Sequence, residues 1–331
     1  MLEHGGRLRA AAQRYGIALA DWLDLSTGIA PYGWSLPAIP ADAWQRLPEP
    51  DDGLEAAARD YYGAAALLPL AGSQAAIQSL PGLRRAGARV AVLAPAYAEH
   101  GLAWRRAGHL LQELSEGAVE RSLERFDVLL VVNPNNPSGR LIERERLLDW
   151  HARLAARGGW LLVDEAFMDC TPEHSLAVDS QKPGLIVLRS FGKFFGLAGL
   201  RLGFALAEPA LLERLAEQLG PWAVSGPARA VATALLADEQ GQRRQRERLR
   251  ADGLRLAVLL SAHGLAPLGG TPLFQLVGHQ QAVGLHGYFA RRGILLRLFA
   301  ESRCLRFGLP GDEAGWQRLE RALKEKPAWP H

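Results

Sequence analysis

The chain has 331 residues, 48% of them hydrophobic and 22% charged, which is enough apolar material for one large core or two domains. Its formal net charge of +3 argues against nucleic acid or an anionic membrane as partner, and the excess of arginine over lysine reads as composition. The two cysteines, Cys170 and Cys304, lack metal-ligand spacing, so free thiols and no metal are expected. The opening Met1-Leu-Glu-His4-Gly-Gly-Arg7 has no apolar signal-peptide core, and no apolar run is long enough to cross a bilayer. A cytoplasmic protein is expected.

In chain order, a short helix over Arg7–Tyr15 precedes a loop, Leu25-Ser-Thr-Gly28-Ile-Ala-Pro31-Tyr-Gly33, with too many breakers for a core element. Such a loop needs an anchor, either a site or a neighbouring subunit. From Asp51 to about Leu219 helical and strand-like patterns alternate, with helices at Gly53–Tyr62 and from Gly72 onward. Val90–Leu93, Val128–Val132, Trp160–Val163 and Ile186–Leu188 are fully apolar runs, which predicts a mostly parallel sheet with helices on both faces. Beyond Pro221 the texture changes. Ala228–His263 reads as one long helix with a break near Gly241. Its basic stretch Gln242–Arg250 reads as a solvated face. Strands at Phe274–Val277, Ile294–Arg297 and Cys304–Phe307, with helices at Leu285–Arg291 and Glu313–Lys324, form a smaller α/β domain. The expected division is an arm and site loop over 1–48, a large domain over 49–222 and a small domain over 223–331.

Chemistry-bearing residues follow successive strands. Leu70-Ala-Gly72-Ser73-Gln74 opens a helix with a flexible glycine and a hydroxyl, a setting for an anion. Tyr97 follows the Val90 run, where an aromatic stacks on a planar ligand or packs. Asn133-Pro-Asn-Asn136-Pro-Ser-Gly139 is a rigid, amide-rich loop after the Val128 run. Asp164, at the end of an apolar strand, needs a cation or a protonated nitrogen as partner. The stretch Ser190-Phe-Gly-Lys193-Phe-Phe-Gly-Leu-Ala-Gly-Leu-Arg201 then presents a hydroxyl, an amine suited to imine formation and a positive fork suited to phosphate.

This order of residues resembles the fold-type I pyridoxal-phosphate enzymes, the aspartate-aminotransferase superfamily, over nearly the whole chain. The resemblance implies pyridoxal 5'-phosphate as cofactor, attached to Lys193. Asp164 is then the partner of the pyridine nitrogen, Tyr97 the stacking ring and Asn136 the donor to the phenolic oxygen. Gly72, Ser73, Ser190 and Arg201 belong to the cofactor phosphate, Gln74 is a further cofactor-binding residue, and Arg306, a charge inside the strand Cys304-Leu-Arg-Phe307, belongs to the substrate carboxylate. A homodimer is also implied. Two positions depart from the pattern: Phe167 stands where many members have a phenol donor, and Leu47 where many have a tyrosine that reaches the partner subunit.

Within the superfamily the chain resembles the branch of histidinol-phosphate aminotransferases and threonine-phosphate decarboxylases. Its opening, Glu3-His4-Gly5-Gly6 followed by Leu23-Asp24-Leu-Ser26-Thr-Gly28, is similar to that of the decarboxylases. Imidazole and unhindered backbone N–H groups suit a phosphorylated amino-acid substrate, so His4, Gly5 and Gly28 join Asn136 and Arg306 as substrate candidates. Arg297 is a lesser candidate for the substrate phosphate, a surface role being the alternative. Decarboxylation of L-threonine O-3-phosphate for cobalamin synthesis is the expected activity, with histidinol-phosphate or related aminotransfer as the alternative.

Overall fold

The computed structural model describes residues 4–327. Its contacts define two compact units. One holds Trp34–Asn136 and Leu141–Gln245; the other holds the chain up to Gly33, the segment Pro137–Arg140 and the chain from Arg246 onward. The expected arm is thus divided, its residues up to Gly33 grouping with the C-terminal elements.

There are twelve strands among the described residues: β1 Leu23–Leu25, β2 Leu67–Leu70, β3 Arg89–Leu93, β4 Leu110–Leu114, β5 Val128–Val132, β6 Trp160–Asp164, β7 Leu185–Ser190, β8 Gly203–Leu206, β9 Pro267–Thr271, β10 Phe274–Gly278, β11 Ile294–Phe299 and β12 Cys304–Gly308. The larger unit carries a seven-stranded sheet in the order β2-β8-β7-β6-β5-β3-β4. Neighbours from β4 through β7 run parallel, and β8 is antiparallel to both β7 and β2. In β5, Val128, Leu130 and Val132 face one core with Leu162, Ile186 and Leu188, while Leu129 and Val131 are equally buried on the other face. Burial on both sides is why these strands are continuous apolar runs rather than alternating ones.

β7 differs near its end, where Arg189, one residue before the closing Ser190, is 2% exposed. Its Nη1 donates to Glu165 at 2.7 Å and its Nη2 to Asp169 at 2.8 Å, and the guanidinium lies over the Tyr62 ring. Glu165 also accepts from the Ser175 hydroxyl and the Leu176 N–H. Burial works against the charge of Arg189, but Asp169 and Glu165 outweigh it and hold the guanidinium pKa above the usual arginine value. The segment after β6 is thereby fastened to β7.

The smaller unit contains a five-stranded sheet, β1-β11-β12-β10-β9. β1 pairs parallel with β11 and the remaining pairs are antiparallel. The helix Glu313–Lys324 is capped by Asp312, whose carboxylate accepts the Gly315 N–H at 2.8 Å. The expected long helix is two, Gly226–Ala237 and Glu239–Ala262. Their break is at Asp238 rather than at Gly241, because the Asp238 carboxylate takes the Gly241 N–H at 2.9 Å and opens the second helix. No helix among the described residues is long and apolar enough to cross a membrane.

Replacing Arg189 by Ala leaves Glu165 and Asp169 buried without their counter-charge. The expected loss of stability is about 3–5 kcal/mol, read as a fall in the urea midpoint at unchanged slope; an unmoved midpoint contradicts the role given to this pair.

Candidate active site

The larger unit collects the candidate cofactor residues at the carboxyl ends of β3, β5, β6 and β7. Parallel register does this: Val90 pairs with Val128, Val132 with Asp164, and Asp164 with Leu188, so the segments beyond these strands start at similar heights. Tyr97 is half-buried and immediately precedes the helix Ala98–Arg106. Asn136 lies within a loop closed by Asn133, which donates to the Ile142 carbonyl and accepts the Ile142 N–H. Asn135 donates to the Pro95 carbonyl at 2.6 Å, joining that loop to the one carrying Tyr97.

Asp164 is 3% exposed and its partner is a nitrogen, as its burial demands. That nitrogen is Nε2 of His100, 2.7 Å from Oδ2, while Oδ1 accepts the Ala166 N–H at 3.0 Å. An ionised carboxylate only accepts, so His100 donates here; each carboxylate oxygen keeps a further acceptor position for a protonated ring nitrogen. His100 is not among the residues expected from the sequence. The available signal is its place three residues after Tyr97 on the first turn of the same helix, and the two rings meet edge-on with centroids 6.1 Å apart.

Ser190 closes β7 opposite Gly203, and the single turn Phe191–Phe194 carries Lys193. The turn is rigid for its size. Phe191 and Phe195 stack at 4.2 Å, and Gln245 donates to the Phe194 carbonyl at 2.9 Å. A side chain at Gly192 would lie 2.6 Å from the Ala198 Cα. Lys193 Nζ is 5.9 Å from the centre of the Phe167 ring, so the phenol-free position expected from the sequence faces the amine. Arg201 adopts a left-handed backbone (φ 55°) and is held by its bond to the Ala198 carbonyl at 3.1 Å. Its guanidinium passes over Gly72, where a Cβ would lie 2.8 Å from Nη2, and Gly203 similarly leaves no room beside the Ser73 N–H. The Gln74 side chain is bonded to Glu99 at 3.2 Å. A positive fork over a glycine and hydroxyl, an amine, a buried carboxylate, a ring and an amide fit the donor set that pyridoxal phosphate requires.

The smaller unit holds the other candidates. Arg306 is 6% exposed, donates to the Ser26 carbonyl at 3.1 Å and lies in register with Arg297 across β11 and β12. Burial, reinforced by the like charge of Arg297, lowers its pKa to about 10, a penalty that an anionic ligand relieves. Gly5 packs on Ser26, Gly28 is buried and His4 is exposed. Among the described residues no group of three or more His, Cys, Asp or Glu could hold a metal ion.

Residues 21–313 match the family Aminotransferase class I and II. The chain belongs to this family. It is 67% identical to the threonine-phosphate decarboxylase of Pseudomonas aeruginosa over 98% of this chain and 97% of that protein. It is 44% identical to the one from Sinorhizobium sp over 97% of both. Its fold matches the histidinol-phosphate aminotransferase of Sinorhizobium meliloti, solved in complex with pyridoxal-5'-phosphate, with a TM-score of 0.81 at 21% identity over 98% and 95% of the two chains. The mostly parallel sheet and separate smaller sheet expected from the sequence are the fold-type I architecture of these aminotransferases.

In this member of the family, Gly72→Ala forces a side chain both into a left-handed backbone (φ 74°) and into the Arg201 guanidinium. Cofactor affinity should fall about tenfold, from a cost on the order of 1–2 kcal/mol, measured by equilibrium dialysis; unchanged affinity contradicts the cradle.

Proposed function

We propose that this protein is a pyridoxal-phosphate-dependent decarboxylase acting on L-threonine O-3-phosphate, giving (R)-1-amino-2-propanol O-2-phosphate and CO2 for the cobalamin side chain. The observation that carries the reading is 67% identity with a threonine-phosphate decarboxylase along essentially the whole of both chains. The cofactor assignment is supported by the donor set around Lys193 and by family membership.

When bound, pyridoxal phosphate supplies an electron sink for the pair left on the substrate's Cα as CO2 departs. The chain's own residues do the rest. Lys193 Nζ is the attachment point, and afterwards the group placed to return a proton to Cα. Asp164, oriented by His100, keeps a proton on the pyridine nitrogen, which maintains the pull of the ring. Tyr97 covers a ring face, Asn136 donates to the phenolic oxygen, and Phe167 leaves that oxygen without a phenol donor. Ser73, Ser190 and Arg201 hold the cofactor phosphate. Arg306 grips the substrate carboxylate through its fork and so helps set which Cα bond stands perpendicular to the ring. The segment His4-Gly5-Gly6 contributes to the substrate phosphate.

Decarboxylation returns the cofactor unchanged, whereas transamination halts until an oxo acid arrives. Incubated with threonine phosphate alone, the holoenzyme should release CO2 over many turnovers. Glutamate formed from histidinol phosphate and 2-oxoglutarate, with no CO2 from threonine phosphate, assigns the chain to the aminotransfer alternative.

We further propose that the enzyme acts in the cytoplasm, where its buried free thiols Cys170 and Cys304 stay reduced, and that it is a homodimer. Leu36, Trp44 and Leu47 are 53%, 66% and 63% exposed within one proline-rich segment, and a second copy of the chain is the cover proposed for them. Sedimentation should give a dimer that Trp44→Glu shifts toward monomer; a wild-type monomer that retains cofactor overturns the proposal.

A further inference from the structure

We infer that Ser26, held by Asp24, is a positioning residue for substrate selection, seating the His4-Gly5-Gly6 segment on the same peptide carbonyl that Arg306 bonds. The inference rests on the proposed decarboxylase function, in which Arg306 and the glycine segment serve the carboxylate and the phosphate of one substrate.

Ser26 is 2% exposed and immediately follows β1. Its polar groups are used in three directions. The hydroxyl lies 2.6 Å from Asp24 Oδ1, and its own N–H donates to the same oxygen at 2.9 Å. A carboxylate accepts only, so the hydroxyl proton points to Asp24 and the oxygen lone pairs are left for another donor. That donor is the Gly6 N–H, at 2.7 Å. The Ser26 carbonyl accepts from Arg306 Nη2 at 3.1 Å. One residue therefore links the N-terminal segment, the β1 end and the buried arginine of β12.

The two glycines belong to this arrangement. A Cβ at Gly5 would clash with the Ser26 carbonyl, and Gly6 has φ 77°, a backbone that favours glycine. From the other side Gly308, at the end of β12, packs against the carbonyls of Thr27 and Leu25. The segment is thus fitted against its seat. Loss of the Ser26 hydroxyl therefore unseats the segment, while the backbone carbonyl that Arg306 bonds is retained.

The test compares four proteins as holoenzymes: wild type, Ser26→Ala, a truncation lacking residues 1–6, and the two combined. Ser26→Ala should raise KM for threonine phosphate about tenfold, the effect of roughly one lost hydrogen bond. Cofactor affinity and KM for unphosphorylated threonine should not change. If Ser26 acts through the segment, the combined variant is no worse than the truncation alone. Ser26→Thr, which keeps the hydroxyl, should restore KM. If Ser26→Ala fails to fold, Gly5→Ala displaces the same segment without removing the hydroxyl and should give the same selective rise. Multiplying effects in the combined variant, or equal losses with threonine and its phosphate, make Ser26 merely structural and overturn the inference. Should wild type release no CO2, the decarboxylase reading fails, and the same proteins are compared on histidinol phosphate against histidinol, where the selectivity loss is still expected.

Discussion

The site depends first on an ion cluster that touches no proposed ligand. Arg189 lies inside the larger unit between Glu165 and Asp169, one residue from Ser190 on β7 and, through Glu165, one residue from Asp164 on β6. Parallel strands align the heights of their ends but do nothing to hold the segments beyond those ends. Here a charge-assisted tie spans the two strand ends, so the carboxylate and the hydroxyl at the rim inherit the rigidity of the sheet. The arrangement is costly to bury, and further donors converge on it: a Ser175 hydroxyl and a Leu176 N–H on Glu165, and the Tyr61 hydroxyl on Asp169.

A second constraint is the close approach of backbones. Gly72 lets the Arg201 guanidinium settle over a peptide, Gly192 lets the lysine turn lie on Ala198, and Gly203 gives the Ser73 N–H its space. At Gly72 and Gly203 a methyl group would occupy the room that a charged or hydrogen-bonding group needs, and at Gly192 it would run into the Ala198 backbone. Arg201 itself takes a left-handed backbone between two such approaches, and its bond to the Ala198 carbonyl helps to offset that strain.

Much of this is readable in the sequence, for definite reasons. Strands buried on both faces announce themselves as unbroken apolar runs, as Val128–Val132 does, and chemistry at their carboxyl ends falls at predictable places. Edge strand β4 is largely exposed and mixes Gln112 and Glu113 into its run, so it carries no such signature. β1 is three residues long and its pairing partner β11 is supplied from far along the chain, which local patterns do not report. His100 escapes notice because a histidine in a helix has no motif of its own, and only the third dimension brings it to Asp164. Asp238 shows the same limit on a smaller scale: Gly241 is the visible breaker, but the side chain that caps the new helix decides where it begins.

The interleaved make-up of the smaller unit has a consequence for synthesis on the ribosome. Its first thirty-three residues emerge long before the C-terminal elements they group with, and β1 must wait for β11, more than 250 residues further along the chain. The larger unit, by contrast, is complete once Gln245 has emerged and can assemble while translation continues. Throughout that interval the N-terminal strand lacks its sheet partner and stays open to chaperones and proteases. The emergence of β12, rather than the appearance of the first residues, thus sets the earliest moment at which Ser26 and Arg306 can meet.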